Sequence, residues 1–173
     1  MARAAASIVF YIGHSDLLTG LRVGRRASVI CANIVTLNGI ARQWSDELRY
    51  LGVYIVRSFR FKISLDKPKR SFYRAVNSVF GIVGHVASEE VIIQLFNSKC
   101  VPVLLYALEA CSLGKSDLSS IGFAFNRFFM KLFRTNNIEI VKSIQSYLGI
   151  SLPSVVLGNR SVKFELSFGL FAR

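Results

Sequence analysis

The chain has 173 residues, of which 52% are apolar: enough for one domain or two small ones around a packed core, and too apolar for intrinsic disorder. A net charge of +12 predicts attraction to polyanions, with nucleic acid the first candidate and an anionic membrane surface the second. Cys31, Cys100 and Cys111, like His14 and His85, are too widely spaced for a zinc-ligand pattern, and their odd number argues against a disulfide framework. They fit neutral thiols in a reducing, intracellular setting, nuclear or cytoplasmic.

A mean hydropathy of +0.43 is high for so basic a chain. The longest apolar run, Val101 to Leu108, nevertheless falls far short of the roughly 20 residues that span a bilayer. Gln94, Asn97, Lys99 and Glu109 interrupt the wider window, which reads as a buried helix, so no transmembrane segment is expected. The apolar N-terminal stretch Ala4 to Ile12 is broken by Gly13-His14 and makes a poor signal peptide.

In chain order, residues 1–32 form a poorly defined segment. Ser7 to Ile12 suits a strand. Gly20 to Arg26 reads as a solvated Gly- and Arg-rich loop whose Arg22, Arg25 and Arg26 offer contacts to a phosphate backbone. Its Gly-x-x-x-Gly spacing lacks the Gly-Lys-Ser/Thr of a phosphate loop. Residues 33–65 carry the best hairpin signal. Ile34, Val35 and Leu37 lead into the turn dipeptide Asn38-Gly39, and Ile40 to Trp44 returns. Asp46-Glu47 then breaks the pattern, and Tyr50 to Val56 is a β-branched and aromatic run of strand type. From Arg57 to Leu65 basic and apolar residues alternate, which places Arg60 and Lys62 on one face of an extended segment and Arg57 on the other.

Residues 66–136 read as a helical bundle. Asp66 is expected to cap a helix with Pro68 in its first turn and Phe72, Ala75, Val76, Val79, Phe80 and Val83 as its core stripe. Lys67, Lys69, Arg70 and Arg74, with Tyr73 among them, crowd positive charge near its N-terminus. That placement opposes the helix dipole and favours a binding role. Gly81 and Gly84-His85 mark its end. Ser88 caps the next helix, with Glu89 and Glu90 behind it and Val91, Ile92, Leu95 and Phe96 on its apolar face. Pro102 should kink or break that helix near Val101, leaving a further piece from Val103 to Cys111. Glu109 is expected to be held in a salt bridge. After Gly114, Ser116 caps a helix carrying Leu118, Ile121, Phe125, Phe128, Phe129, Leu132 and Phe133. Arg127 and Lys131, at i and i+4, are its phosphate candidates, whereas Arg134 suits the helix C-terminus. Residues 137–173 give a helix that begins after Asn136-Asn137 and runs to Leu148, stopped by Gly149, and another starting at Leu152-Pro153-Ser154. Ser167 to Arg173 reads as a frayed or foreign tail. The expected fold class is α+β, mainly α: an N-terminal β-hairpin or short sheet followed by a three- to five-helix bundle.

The segment Arg-Tyr-Leu-Gly-Val-Tyr-Ile at residues 49–55 resembles the end of the palm in reverse transcriptases of non-LTR, LINE-type retrotransposons. The basic run at 67–74 is similar to the start of that family's thumb. Residues 99–109, with Pro102, Leu104, Leu105, Tyr106 and Glu109, are similar to its Pro-x-Leu-Leu-Tyr-Gly-x-Glu segment, with Ala107 in place of the glycine, and Asn126-Arg127-Phe128 resembles its next helix. The resemblance covers roughly residues 31–165. It implies an RNA-directed DNA polymerase fragment in which 33–65 is a palm remnant and Tyr50, Leu51 and Gly52 are a primer grip. The thumb would then hold a primer–template, an RNA–DNA hybrid or another duplex, without base readout, through Lys67, Lys69, Arg70, Arg74, Arg127 and Lys131. Intact members require Mg2+ on paired carboxylates. This chain has no Asp-Asp pair, so no catalytic residue, metal site or cofactor of its own is expected, and polymerase activity is not. The family's palm and fingers are implied partners. The competing readings are a helical module that binds proteins or membrane surfaces, and a retroelement relic without function.

Overall fold

The computed structural model of the protein describes residues 8–12, 19–25, 27–29, 32–35, 39, 41–42, 44–84, 86–111 and 113–171. They fall into two compact units, Met1–Ser64 and Leu65–Arg173. The first is built of short antiparallel strands and the second of helices, so the fold is α+β and mainly α.

In the first unit β1 (Ile8–Ile12) pairs antiparallel with β2 (Thr19–Val23). The solvated loop expected over Gly20 to Arg26 is therefore a strand as far as Val23, with Gly24 and Arg25 in a turn beyond it. Its period-two pattern explains why: Leu21 and Val23 point to one face and are buried with Leu48 and Ile55. Arg22, on the opposite phase, lies with its guanidinium 4.4 Å from the centre of the Trp44 ring. Of the three arginines proposed there, Arg25 is exposed, and Arg26 lies outside the described residues.

The Asn38-Gly39 signal sits between β3 (Ile34–Val35) and β4 (Ala41–Arg42), which pair antiparallel with Ile34 opposite Arg42. Leu37, Asn38 and Ile40 lie outside the described residues. The strand expected from Tyr50 to Val56 is two strands. β5 (Glu47–Tyr50) and β6 (Val53–Val56) form a hairpin with Tyr50 opposite Val53. Leu51 and Gly52 are its two-residue turn, at φ +47° and +84°. Positive φ at both central positions matches the right-handed strand twist, which is why tight hairpins use this turn. Gly52 takes it without strain, but Leu51 does so at a cost of about 1 kcal/mol, and its side chain stays 73% exposed. β7 (Lys62–Ile63) completes a three-stranded antiparallel sheet in the order β5-β6-β7. A bend at Phe59–Arg60 separates β7 from β6, so Arg57 to Leu65 is not one extended segment.

In the helical unit α1 (Asp66–Val83) begins with Leu65 at the cap position. Asp66 is the first helical residue instead of the cap, and its carboxylate lies 3.5 Å from Lys69 Nζ. Phe72 and Val76 are the fully buried members of the predicted stripe. Next come α2 (Glu89–Leu95), a widened π turn (Phe96–Cys100) and α3 (Val101–Leu105), one continuous helical rod. Of the kink or break expected at Pro102, no break occurs. A proline ring clashes with the carbonyl four residues back, and a π turn just before it opens that spacing. The helix ends at Leu105, short of Cys111. Ala107 turns left-handed at φ +56°, followed by a 3-10 turn, Leu108–Ala110.

α4 (Lys115–Leu132) is capped by Gly114 instead of Ser116, with the Gly114 N–H donating to the Asp117 carboxylate at 3.0 Å. α5 (Ile138–Tyr147) starts after Asn136-Asn137 as the sequence predicts, and the structure adds the cap, with Asn137 Oδ1 accepting the Glu139 N–H at 2.9 Å. α6 (Pro153–Phe171) has Pro153 at its first position and continues through residues 167–171, where fraying was expected, because no proline interrupts the backbone ladder.

The core of this unit is an aromatic cluster around Phe96. Its ring stacks on Phe128 at 3.6 Å and meets Phe72, Phe125 and Phe129 within 5.9 Å. Three elements that are distant in sequence, α1, the π turn and α4, thus close on one side chain. Buried Gln145 donates its amide to Asn126 Oδ1 at 2.9 Å and ties α5 to α4. Ser161 donates to the Glu109 carbonyl at 3.2 Å and anchors α6.

The salt bridge expected of Glu109 is not formed: among the described residues its buried Oε2 has no partner. Burial, and then the Glu109 charge, push the Cys111 thiol above its usual range, and burial alone pushes Cys100 up. Both thiols stay protonated at neutral pH. Their contribution to stability is present below the ordinary thiol pKa and is lost as pH rises through the raised values. One helical stretch among the described residues, Glu89–Ala110, is long and apolar enough to cross a membrane by length and composition. It opens with two glutamates, bends at Ala107 and buries Ile92, Phe96, Cys100, Leu104, Leu105 and Leu108 within the unit.

Candidate nucleic-acid interface

Helical geometry puts residues three and four apart on one face. On α1 that rule aligns Arg70, Tyr73, Arg74 and Asn77, and all four are exposed. On α4 it aligns Phe123, Arg127 and Lys131, also exposed. Two bonds fix the helices side by side and in the same direction. Lys69 Nζ donates to Ser120 Oγ near their starts at 3.0 Å, and Lys131 Nζ donates to Asn77 Oδ1 near their ends at 3.0 Å.

Between them runs a groove of about 410 Å³ lined by Tyr73, Asn77, Arg127, Lys131 and Asn136 over a floor of Phe72, Val76, Phe128 and Met130. Asn77 and Lys131 also border a second, wider hollow of about 820 Å³ that extends to Phe80, Gly84, Glu89 and Arg134. Arg134 is not in the last turn of α4. It follows the helix at φ +49°, and its side chain is brought back to this rim.

The six basic residues expected to grip phosphates therefore differ in what they do. Among the described residues, Arg70 and Arg74 have neither an ion pair nor a hydrogen bond, and Arg127 rests at 5.9 Å from the centre of the Phe123 ring. Lys67 is exposed at the start of α1. Lys69 is only 25% exposed and is occupied by Ser120 and Asp66. Lys131 is exposed but held by Asn77, with Nζ 4.6 Å from the centre of the Phe80 ring. Lys69 thus serves mainly as an interhelical tie, while Lys131 keeps two of its three N–H donors for a ligand.

Tyr50, Leu51 and Gly52 sit at the exposed tip of the β5–β6 hairpin, in the other unit. Beside them Arg49 lies 5.8 Å from the centre of the Tyr54 ring, and Arg57 is paired with Asp46 at 3.1 Å. Sequence reasoning overlooked Asn77 and Asn136. The i+3 spacing of Asn77 from Arg74 was the available signal for the first; Asn136 carried none. Among the described residues no three His, Cys, Asp or Glu side chains gather as metal ligands. Comparison with protein-family models, with curated proteins and with solved structures returned no match for this chain.

Proposed function

We propose that the helical unit binds a nucleic-acid duplex by its phosphate backbone, as the thumb of the non-LTR reverse transcriptases that the sequence resembles would do. The observation that carries this reading is the set of exposed guanidiniums in this unit, Arg70 and Arg74 on one face of α1 and Arg127 on α4 at the α1–α4 groove. Three guanidiniums without carboxylate partners, on a chain of net charge +12, have a large electrostatic gain to make with phosphates and little to lose from neighbours. The cations in the first turn of α1 oppose its dipole, at about 0.3–1 kcal/mol each. A phosphate bound beside these cations relieves that repulsion. The reading is of a grip, not a polymerase: the paired aspartates that the resemblance implies are absent from the 173 residues.

Fluorescence anisotropy of an RNA–DNA hybrid across a salt series tests it. About four phosphate contacts predict a log–log slope of about −3 to −4. Arg70→Ala is expected to weaken binding and reduce the slope by about one. Lys69→Met should leave the slope nearly unchanged while lowering stability by about 1 kcal/mol, since it removes the Ser120 bond. Absent or salt-insensitive binding by folded protein would overturn the proposal and favour an interaction module.

A further inference from the structure

The groove between α1 and α4 is more than a charged surface. Its floor is closed by the buried side chains of Phe72, Val76 and Phe128 and by half-buried Met130, and its walls carry polar donors. A backbone-only phosphate site needs no such floor. An apolar ligand would strand the cations on the walls.

The donors can be counted. Asn77 Oδ1 is occupied by Lys131, which leaves the Asn77 amide hydrogens to donate. Lys131 has two N–H groups left, Arg127 carries a guanidinium, and Asn136 is exposed at the far wall. The ligand therefore presents several acceptor oxygens or nitrogens. Tyr73 stands at the edge, braced edge-on against Phe72 with ring centres 5.6 Å apart, and is 37% exposed. Its ring is held in place and still open to a flat partner. At about 410 Å³ the groove is large enough for one nucleotide and too small for a duplex.

We infer that this groove accepts a single unpaired nucleotide, its base against Tyr73 and its phosphate against Arg127 and Lys131. This inference rests on the nucleic-acid reading of the helical unit and adds a substrate class to it: a single strand, or a duplex with an unpaired end, over a blunt duplex. The Asn77 amide donates to base or sugar acceptors, which biases the site without reading a sequence. Stacking on an aromatic ring is tolerant of base identity.

The test uses the full chain with two labelled four-nucleotide DNA strands, one normal and one abasic, alongside a blunt duplex. Both strands carry the same phosphates. The normal strand is expected to bind at least about fivefold tighter, the factor that one stacked base supplies. Tyr73→Ala should erase that difference and leave blunt-duplex affinity within about twofold, whereas Tyr73→Phe, which keeps the ring, should preserve it. Equal affinity for the two strands, or a difference that survives Tyr73→Ala, would overturn the inference. Duplex binding without binding of either strand would overturn it too, while leaving the proposed grip in place. Loss of all three would overturn both.

Discussion

Phe96→Ala is expected to destabilise the helical unit by about 3–5 kcal/mol, the largest single effect predicted for this chain. Phe96 has no exposed surface and touches four other aromatic rings, one of them in near-parallel contact. Truncation removes the transfer energy of the ring and leaves a cavity at the meeting point of α1, the π turn and α4. Those elements cannot each move freely into it, because the Lys69–Ser120 and Lys131–Asn77 bonds tie α1 to α4 and the rest of the aromatic cluster spans both. Against a total stability of about 5–15 kcal/mol for an ordinary domain, that loss approaches unfolding. Urea denaturation followed by circular dichroism reads it as a fall in midpoint. Phe96→Leu should cost less than half as much, because most of the volume is retained. A midpoint unchanged by Phe96→Ala would mean that the aromatic cluster does not hold the unit together.

The second prediction is a pair of opposite sign. Gly81→Ala should stabilise by up to about 1 kcal/mol, and Gly84→Ala should destabilise by about 1–3 kcal/mol, although they lie three residues apart. At Gly81, inside α1, an added Cβ meets nothing, so alanine gains helix propensity without a clash. At Gly84, the C-cap, a Cβ would lie 2.4 Å from the Phe80 carbonyl oxygen, which is backbone and cannot swing away. Relief requires the last turn of α1 to shift. That turn also carries Phe80, which contacts Phe128 at 5.6 Å and Lys131 at 4.6 Å. The Gly84 variant should therefore disturb the groove as well as the helix end. Thermal melts of the two variants check the sign. Equal shifts in the same direction would show that the α1 terminus is looser than the geometry requires.

What the sequence revealed and what it hid follow from how local each cause is. Asn137 at the start of α5, Gly84 after α1 and the Phe repeat along α4 act within one or two helical turns, and each element was legible. The Leu51-Gly52 turn was not. Tyr50 and Val53–Val56 carry strong strand propensity on both sides of it, and leucine is a poor candidate for positive φ. Pro102 was misread because the π turn ahead of it belongs to the packing of Phe96, a contact made across the fold. The buried Glu109 Oε2, without a partner among the described residues, was likewise invisible, since burial and pairing are tertiary facts. Within the candidate site the α1 stripe could be read from spacing alone. The division of labour between open Arg70 and Arg74 and occupied Lys69 could not, because Ser120 is 51 positions away.

The central claim is that nucleic acid is held at one place and not merely attracted by net charge. The most direct measurement compares two double variants of identical charge, Arg70→Glu with Arg74→Glu on α1 and Arg160→Glu with Lys163→Glu on α6, in hybrid binding at one salt concentration. All four residues are exposed. The account predicts that the α1 pair loses at least about tenfold in affinity and the α6 pair less than about threefold, because only the first removes direct phosphate contacts. Equal losses from the two pairs would contradict it and reduce the interaction to diffuse attraction between a basic chain and a polyanion.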